Sequence, residues 1–231
     1  MSSPSSCRRQ QHRLQHQRSR TNEYASATNG SVIEQAMDVI KKWWVIPELN
    51  FLPQFYDQDF FLDGFKENGL KHNLNDYEHI LFSFHGLPER HVNKVYNEGL
   101  CKDNDCEHGI NEANIFCYKA TCYETVLLLA KRLGIKESDY SVGFQSRLGS
   151  GWIEPFSDEI IIEKAKQGIK KILVFSPAFV ADCLETTIEI GVEYQELFEE
   201  HGGEKIQLVE SLNSSDIFVN GLEQMILKRS N

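Results

Sequence analysis

The 231-residue chain contains no apolar run of the roughly 18–20 residues that a helix needs to cross a bilayer. It is also short of positive charge, because 24 Lys and Arg stand against 34 Asp and Glu and give a formal net charge of -10. General nucleic-acid binding requires basic surface that replaces counterions, so this charge argues against that class of partner. The hydrophobic content of 41% is ordinary for a globular protein with a packed core.

The sequence also lacks a hydrophobic signal segment, and its cysteines are not spaced like those of a small secreted scaffold. We therefore expect a cytoplasmic protein whose cysteines are thiols or metal ligands. Four of them lie close together in the chain: Cys101, Cys106, Cys117 and Cys122. Their spacing is not one of the common zinc-finger patterns. Four thiolates can hold a [2Fe–2S] cluster; a structural zinc ion or four free thiols are the alternatives.

Residues 1–22 differ in composition from the rest of the chain. They contain five arginines and no acidic residue, which leaves a charge of -15 on the remainder. An organellar transit peptide has a similar composition, but too few apolar residues are present for an amphipathic face. We expect a disordered tail or a stretch that is not native to the fold.

From Tyr24 onward, apolar residues recur with the spacing of helices and strands. Ser31 and Glu34 form a capping box, which predicts the start of a helix that ends near Ile40. A short strand at 49–55 and a helix at 60–70 follow. The later predicted strands are 79–84, 140–144, 171–175 and 205–209. The later predicted helices are 118–133, 158–167, 184–201 and 215–228.

Strands that alternate with helices of this length predict an α/β fold, with a parallel sheet covered by helices on both faces. In such sheets ligands bind beyond the carboxyl ends of the strands. His85 comes directly after one predicted strand, where an imidazole could serve as a metal ligand or a proton acceptor. A histidine on a surface loop is the alternative.

A second group of candidate residues is acidic. Glu185, Glu189 and Glu193 are four residues apart on one predicted helix, and Asp182 precedes them. Like charges at this spacing disfavour an isolated helix and raise carboxyl pKa values, which suits proton acceptance. The residues therefore form either a path of carboxylates for cations and protons or a solvated acidic face.

A third group follows the predicted strand 140–144. Gln145 and Ser146 stand at its end, and a glycine-rich loop then leads to Trp152 and Pro155. This combination could form the apolar wall of a pocket. Trp152 as a simple anchoring aromatic is the alternative.

Several of these segments resemble one enzyme family, the ferrochelatases. His85-Gly-Leu-Pro88 resembles the family's histidine motif, and residues 179–189, Phe-Val-Ala-Asp-Cys-Leu-Glu-Thr-Thr-Ile-Glu, are similar to its second metal-site helix. Gln145-Ser146 through Trp152 and Pro155, and Leu212-Asn213, resemble two further segments. Residues 24–31 and 51–56 resemble the latter part of its first domain. The resemblance runs from about Tyr24 to Ile226 in the family's order.

The resemblance implies a Rossmann-like chelatase fold and insertion of Fe²⁺ into protoporphyrin IX, the last step of haem synthesis. It implies that His85 and Glu185 hold iron and, with Glu189, act in catalysis. Glu189, Glu193 and Asp182 would form a proton or metal path. Trp152, Pro155, Gln145 and Ser146 would line the porphyrin pocket. Cys183 departs from members that have histidine there, although others carry cysteine.

The resemblance also implies a division into domains. Residues 1–22 form the tail, 23–76 are the remnant of a first chelatase domain, and 77–231 are a complete second one with a cysteine-bearing insertion at 95–122. Some bacterial members hold a [2Fe–2S] cluster on internal cysteines, and the family works near membranes, which implies peripheral membrane contact. Because most of the first domain is missing, we expect little or no insertion by this chain. A cobalt chelatase of corrin synthesis and a non-catalytic metal-binding module are the alternatives.

Overall fold

The computed structural model describes residues 26–52 and 54–229. The predicted tail 1–22, the beginning of the resemblance at Tyr24, and Pro53 lie outside these residues. The described chain divides into two compact units. One is the described part of Met1–Phe55 together with that of Glu223–Asn231, and the other is Tyr56–Leu222. The predicted assignment of 23–76 and 77–231 to two ancestral domains stays a prediction.

The smaller unit contains the first helix, α1, over Ser26–Ile40. Ser31 is inside this helix, so the prediction that a capping box at Ser31 starts it is wrong. The predicted strand at 49–55 is also wrong, because residues 49–52 and 54–55 belong to no strand. An extended segment becomes a strand only by pairing with another backbone. Trp44 and Val45, which lie between α1 and residue 49, are exposed.

The larger unit is built on a four-stranded parallel sheet with the strand order β2-β1-β3-β4. The strands are β1 (His79–His85), β2 (Tyr140–Gln145), β3 (Lys171–Phe175) and β4 (Lys205–Leu208). All four lie where the sequence predicts them, to within one residue at each end. The prediction of an α/β fold with a parallel sheet is therefore confirmed.

Helices cover both faces of this sheet. Leu81 and Val174 are paired across β1 and β3 and pack with Ile161 and Phe198 from helices on one face. On the other face Phe82 stacks on Phe175, with ring centroids 5.1 Å apart. A Cβ atom on Gly69 would lie 2.5 Å from the Phe175 ring, so the helix that carries Gly69 approaches the sheet very closely.

The other helices confirm most of the predicted elements. The α-helices after α1 are α2 (Asp59–Leu70), α3 (Glu89–Val92), α4 (Tyr118–Leu133), α5 (Ser157–Lys166), α6 (Leu184–Thr187), α7 (Gln195–Glu200) and α8 (Asp216–Leu227). Short 3₁₀ turns occur at Leu74–Asp76, Asn93–Val95, Cys101–Asp103, Cys106–His108 and Glu137–Asp139. No helix in the described part of the chain is long and apolar enough to cross a membrane.

The predicted single helix over 184–201 is wrong in one respect. A π-helix, Glu189–Tyr194, separates α6 from α7. The N–H of Glu193 donates to the carbonyl of Ile188, five residues back, at 3.0 Å. Such wide turns are rare overall but frequent at functional sites, and this one carries two of the acidic candidates, Glu189 and Glu193.

The buried His79 at the start of β1 generates a prediction about pH. Burial, with Lys164 nearby, lowers its pKa from 6.5 to about 4, although Asp139 opposes the shift. Because the unfolded chain binds the proton more readily, the free energy of unfolding falls as the pH drops from about 6.5 to about 4. Two to three pKa units correspond to roughly 3 kcal/mol. Urea unfolding at several pH values should show this slope, and it should be smaller in His79→Gln.

Candidate functional site

The candidate site lies at the carboxyl ends of β1 and β2. His85 and Gln145 are the last residues of these strands and are directly paired in the sheet. The backbone N–H of Gly86 donates to the carbonyl of Gln145 at 2.7 Å. The structure therefore brings two predicted site residues from distant parts of the sequence to one edge.

The orientation of the His85 ring is set by the backbone of the next residue, Gly86. Nδ1 lies 2.6 Å from the carbonyl oxygen of Gly86. A carbonyl oxygen can only accept, so Nδ1 carries the hydrogen in this contact. In the neutral imidazole, Nε2 then keeps a free lone pair for a proton or a metal ion. The hydroxyl of Tyr118 donates to the carbonyl of His85 at 2.6 Å and holds the backbone in place.

The turn after His85 packs against the segment that contains Trp152. Pro88 and Trp152 form an isolated antiparallel bridge, and the N–H of Glu89 donates to Gly151 at 2.9 Å. A Cβ atom on Gly86 would lie 3.3 Å from the Trp152 ring. Trp152 is half-buried beside the turn that carries His85. This position is consistent with the predicted role of Trp152 in the wall of a pocket.

Gln145 is a buried connector between three elements. Its side-chain oxygen accepts from the Ser83 hydroxyl at 2.8 Å. Its amide nitrogen donates to the backbone carbonyl of Glu185 at 2.7 Å and to the carboxylate of Glu189 at 3.1 Å. Only 1% of Gln145 is exposed. The structure therefore places its amide between β1 and the acidic helices.

Glu185 is half-buried at the first turn of α6. Hydrogen bonds from its own backbone N–H and from the Cys183 thiol lower the pKa of its carboxyl group. Burial opposes this shift, and nearby His85 adds to it. Glu185 is consequently a carboxylate at neutral pH, close enough to His85 for an electrostatic interaction.

Glu189 is held by several hydrogen bonds at the start of the π-helix. Its carboxylate accepts from the Ser146 backbone N–H at 2.7 Å, from the Ser146 hydroxyl at 2.5 Å and from the Tyr194 hydroxyl at 3.2 Å. Gln145 supplies a fourth hydrogen bond. Ser146 has a positive φ of 63°, which turns its N–H toward Glu189. This carboxylate links the π-helix to the end of β2.

The other acidic candidates have different surroundings. Glu193 is exposed on the π-helix. Asp182 is exposed as well, but it accepts from the Asn213 amide at 2.7 Å and from the Ser211 backbone at 3.1 Å. Although burial opposes it, these hydrogen bonds lower the pKa of Asp182. Pro155 is exposed after a cis peptide bond, and its carbonyl accepts from the Phe144 N–H at 2.9 Å.

Several polar residues around the candidate site were missed in the sequence, among them Ser83 and Tyr118. Ser83 is completely buried in β1 and also contacts the hydroxyl of buried Ser157 at 2.8 Å. A single serine within the apolar run Ile-Leu-Phe-Ser-Phe was the available signal, since a buried hydroxyl needs a partner. Tyr118 offered no such signal, because its contact with His85 spans 33 residues.

Three of the four clustered cysteines form a second group, the cysteine triad: Cys101, Cys106 and Cys117. Their Sγ atoms are separated by 3.4 to 3.7 Å, and all three side chains are buried. Hydrogen bonds from the other two thiols lower the pKa of Cys117 to about 3, whereas the pKa of Cys101 is raised. The group could hold a metal ion.

Cys122, the fourth predicted member, lies outside the cysteine triad. It is completely buried within α4, five residues beyond Cys117. Burial raises the pKa of its thiol well above the ordinary value, which disfavours the thiolate. The spacing of the four cysteines in the sequence gives no reason to distinguish them. The structure does, because Cys122 lies inside α4 whereas Cys117 caps it.

Comparison with known proteins gives a consistent result. The family model for ferrochelatase matches residues 19–230. Similar proteins include ferrochelatases of Pseudomonas fluorescens (strain Pf0-1), 43% identical, Ectopseudomonas mendocina (strain ymp), 42% identical, and Legionella pneumophila (strain Lens), 38% identical. The matches cover 87–88% of this chain and 60–61% of those proteins. The chain thus spans about 60% of the length of the curated relatives it matches.

The hydrogen bonds of Glu189 generate a prediction about stability. Glu189→Gln replaces one acceptor oxygen by an NH₂ group that faces existing donors. The free energy of unfolding should fall by about 1–3 kcal/mol, the cost of leaving partly buried donors unpaired. Urea denaturation at neutral pH measures the change. The matched control is Glu193→Gln on the same π-helix, which should shift the value by less than about 0.5 kcal/mol. Equal effects of the two variants would contradict the assignment.

Proposed function

Because the chain belongs to the ferrochelatase family, we propose that it inserts Fe²⁺ into protoporphyrin IX and releases two protons to give protohaem, at a rate well below that of its relatives because it spans about 60% of their length. The observation that carries the proposal is that His85, at the carboxyl edge of the sheet, is close enough to Glu185 to help lower the pKa of its carboxyl group. The Nδ1 atom of His85 is occupied by the Gly86 carbonyl, and Glu185 is a carboxylate at neutral pH. Metal insertion into a porphyrin needs both a proton acceptor and a ligand for the incoming cation.

His85 is the proton acceptor in this proposal. The pyrrole N–H groups must lose two protons as the metal binds the ring nitrogens. Nε2 can take one of them because Nδ1 is already donating to Gly86. Tyr118 and the bridge between Pro88 and Trp152 restrict the motion of the turn that carries His85. Because the imidazole is already positioned, the entropic cost of reaching the transition state is lower.

Glu185 holds the Fe²⁺ substrate before insertion, and Glu189 assists it. Carboxylate oxygen suits hard divalent cations. The path by which ions or protons reach the centre runs from exposed Glu193 past Glu189 toward Glu185, with Asp182 at its side. Four hydrogen bonds fix Glu189, so we expect it to act as a stationary negative charge. Cys183, whose thiol donates to Glu185, occupies the position of histidine in some members.

Trp152 and Pro155 form the porphyrin wall in this proposal. A flat apolar macrocycle is held by aromatic and aliphatic surface, and Trp152 lies beside the His85 turn. Gln145 and Ser146 were predicted to line the same pocket. Because both residues bind the Glu189 carboxylate and Gln145 also binds the backbone carbonyl of Glu185, we propose that they position the Glu189 carboxylate and the Glu185 backbone beneath the porphyrin. Binding that distorts the ring toward the geometry of insertion would lower the barrier.

The arrangement of the cysteines does not support the predicted [2Fe–2S] cluster. It needs four thiolates arranged as two pairs, one on each iron. Three Sγ atoms are instead in mutual contact, and Cys122 lies outside the group. The described cysteines do not fit the binuclear cluster as they are arranged, and no step of the proposed reaction depends on it.

We also propose a cytoplasmic location. Thiols as close as those of the cysteine triad would be prone to oxidation outside a reducing compartment, and the five described cysteines are free thiols. Peripheral contact with a membrane stays a prediction, as does the absence of nucleic acid among the partners.

The proposed reaction is tested by mixing the chain with a porphyrin and Fe²⁺, or Zn²⁺ as a substitute, and following the visible absorbance of the metal complex. His85→Ala and Glu185→Ala should each lower the insertion rate at least about 100-fold, the usual contribution of a positioned acid or base. The control Glu196→Ala removes an exposed carboxylate of α7 and should change the rate less than twofold.

A porphyrin titration followed by fluorescence completes the test. Saturable binding should persist in Glu185→Ala, because the metal ligand is not part of the porphyrin wall. Absence of porphyrin binding by the unmodified chain, or insertion that is unaffected by both His85→Ala and Glu185→Ala, would refute the proposed function.

A further inference from the structure

The geometry of the cysteine triad is that of a site for a single metal ion. A tetrahedral ion with metal–sulfur bonds of about 2.3 Å places its thiolates roughly 3.8 Å apart. The three separations in this chain, 3.4, 3.6 and 3.7 Å, are all close to that value. A binuclear core would instead lie between two pairs of thiolates and push the pairs apart.

We infer that Cys101, Cys106 and Cys117 hold one tetrahedral Zn²⁺ ion and that Cys122 is not a ligand. Thiolate-rich tetrahedral sites select zinc or iron–sulfur clusters, and mutual contact of three thiolates favours the single ion. Binding releases the protons of those thiols that are not already ionised. The inference is independent of the chelatase function, because this site shares no residue with the His85 and Glu185 pair.

The segment that carries the cysteines is already held in a fixed conformation. Asn93 accepts from the backbone N–H of Cys101 at 2.8 Å. Asn114 is completely buried, and its amide donates to the carbonyl of Gly109 at 3.0 Å. Glu124, from α4, accepts from the N–H of Ile110 at 3.2 Å. These side chains hold the loop so that its thiols converge, which lowers the entropic cost of binding an ion.

Tyr96 contacts one of the proposed sulfur ligands. Its hydroxyl lies 3.1 Å from the Sγ atom of Cys106. When Cys106 is a thiolate, the phenol must be the donor, and such outer hydrogen bonds orient and tune metal ligands. An adjoining cavity of about 230 Å³ borders Cys101 and is lined by charged residues of both signs, among them Lys102 and Glu154.

The inferred ion also supports the turn that carries His85. Cys117 is the N-cap residue of α4, and the next residue, Tyr118, donates to the carbonyl of His85. A metal bond at Cys117 therefore restrains the first turn of α4 and, through one hydrogen bond, the backbone of His85. The expected role of the ion is structural.

The test is elemental analysis of the full chain, reduced, loaded with Zn²⁺ and desalted in the absence of porphyrin. We expect one tightly bound zinc ion per chain. Cys101→Ala, Cys106→Ala and Cys117→Ala should each lose that equivalent, and the matched control Cys122→Ala should retain it. Because a variant could fail to fold, thiol alkylation of the unmodified chain is measured as well. Zinc should protect the cysteine triad, leave Cys183 reactive, and leave Cys122 unreactive both with and without metal.

Three results would overturn the inference. One is two irons and two acid-labile sulfides per chain, lost on Cys122→Ala, which would identify a four-cysteine binuclear cluster. Another is no retained metal after loading with Zn²⁺. The third is alkylation of Cys101, Cys106 and Cys117 that zinc does not slow.

Discussion

The hydrogen bonds of the buried Gln145 amide are the constraint on which the candidate site depends. Its two polar ends join Ser83 of β1 to Glu185 and Glu189, about 100 residues further along the chain. A buried amide without partners loses more free energy than a typical hydrogen bond contributes. Breaking one of these hydrogen bonds is therefore costly, which favours keeping all of them together. Together with the hydrogen bonds from Ser146 to Glu189 and the packing of Ile190 in the core, this side chain ties α6 and the π-helix to the sheet edge.

The chain contains two groups of residues suited to metal ions, and they differ in chemistry. Nitrogen and oxygen donors lie near one another at His85 and Glu185, where we propose that a cation exchanges and a proton leaves. Sulfur donors meet in the cysteine triad, whose three buried thiols we propose bind an ion permanently. The hydroxyl of Tyr118, next to Cys117, connects the second group to the backbone of the first. A change in the stability of the cysteine-bearing loop is therefore expected to alter the position of His85.

Local patterns predicted most of the sheet because buried parallel strands are short apolar runs with clear ends. The same reasoning failed for residues 49–55, because the described residues of this partly apolar segment, 49–52 and 54–55, belong to no strand. It also failed at Glu189. The acidic residues there keep the spacing of an α-helix in the sequence, but the backbone forms a π-helix whose hydrogen bonds join residues five apart. Hydrogen bonds from Ser146 and Gln145 supply the reason, and neither lies near Glu189 in the sequence.

The sequence by itself determined the α/β fold, the family, and the identity of His85 and the acidic residues as candidates, because periodicity and motif spacing are local properties. Tertiary structure alone decided which nitrogen of His85 is free, how Glu189 is bound, and that three cysteines converge while Cys122 does not. These depend on contacts across tens of residues and on the direction in which a helix turns each side chain. No local pattern encodes such directions, so they appear only when the chain is folded.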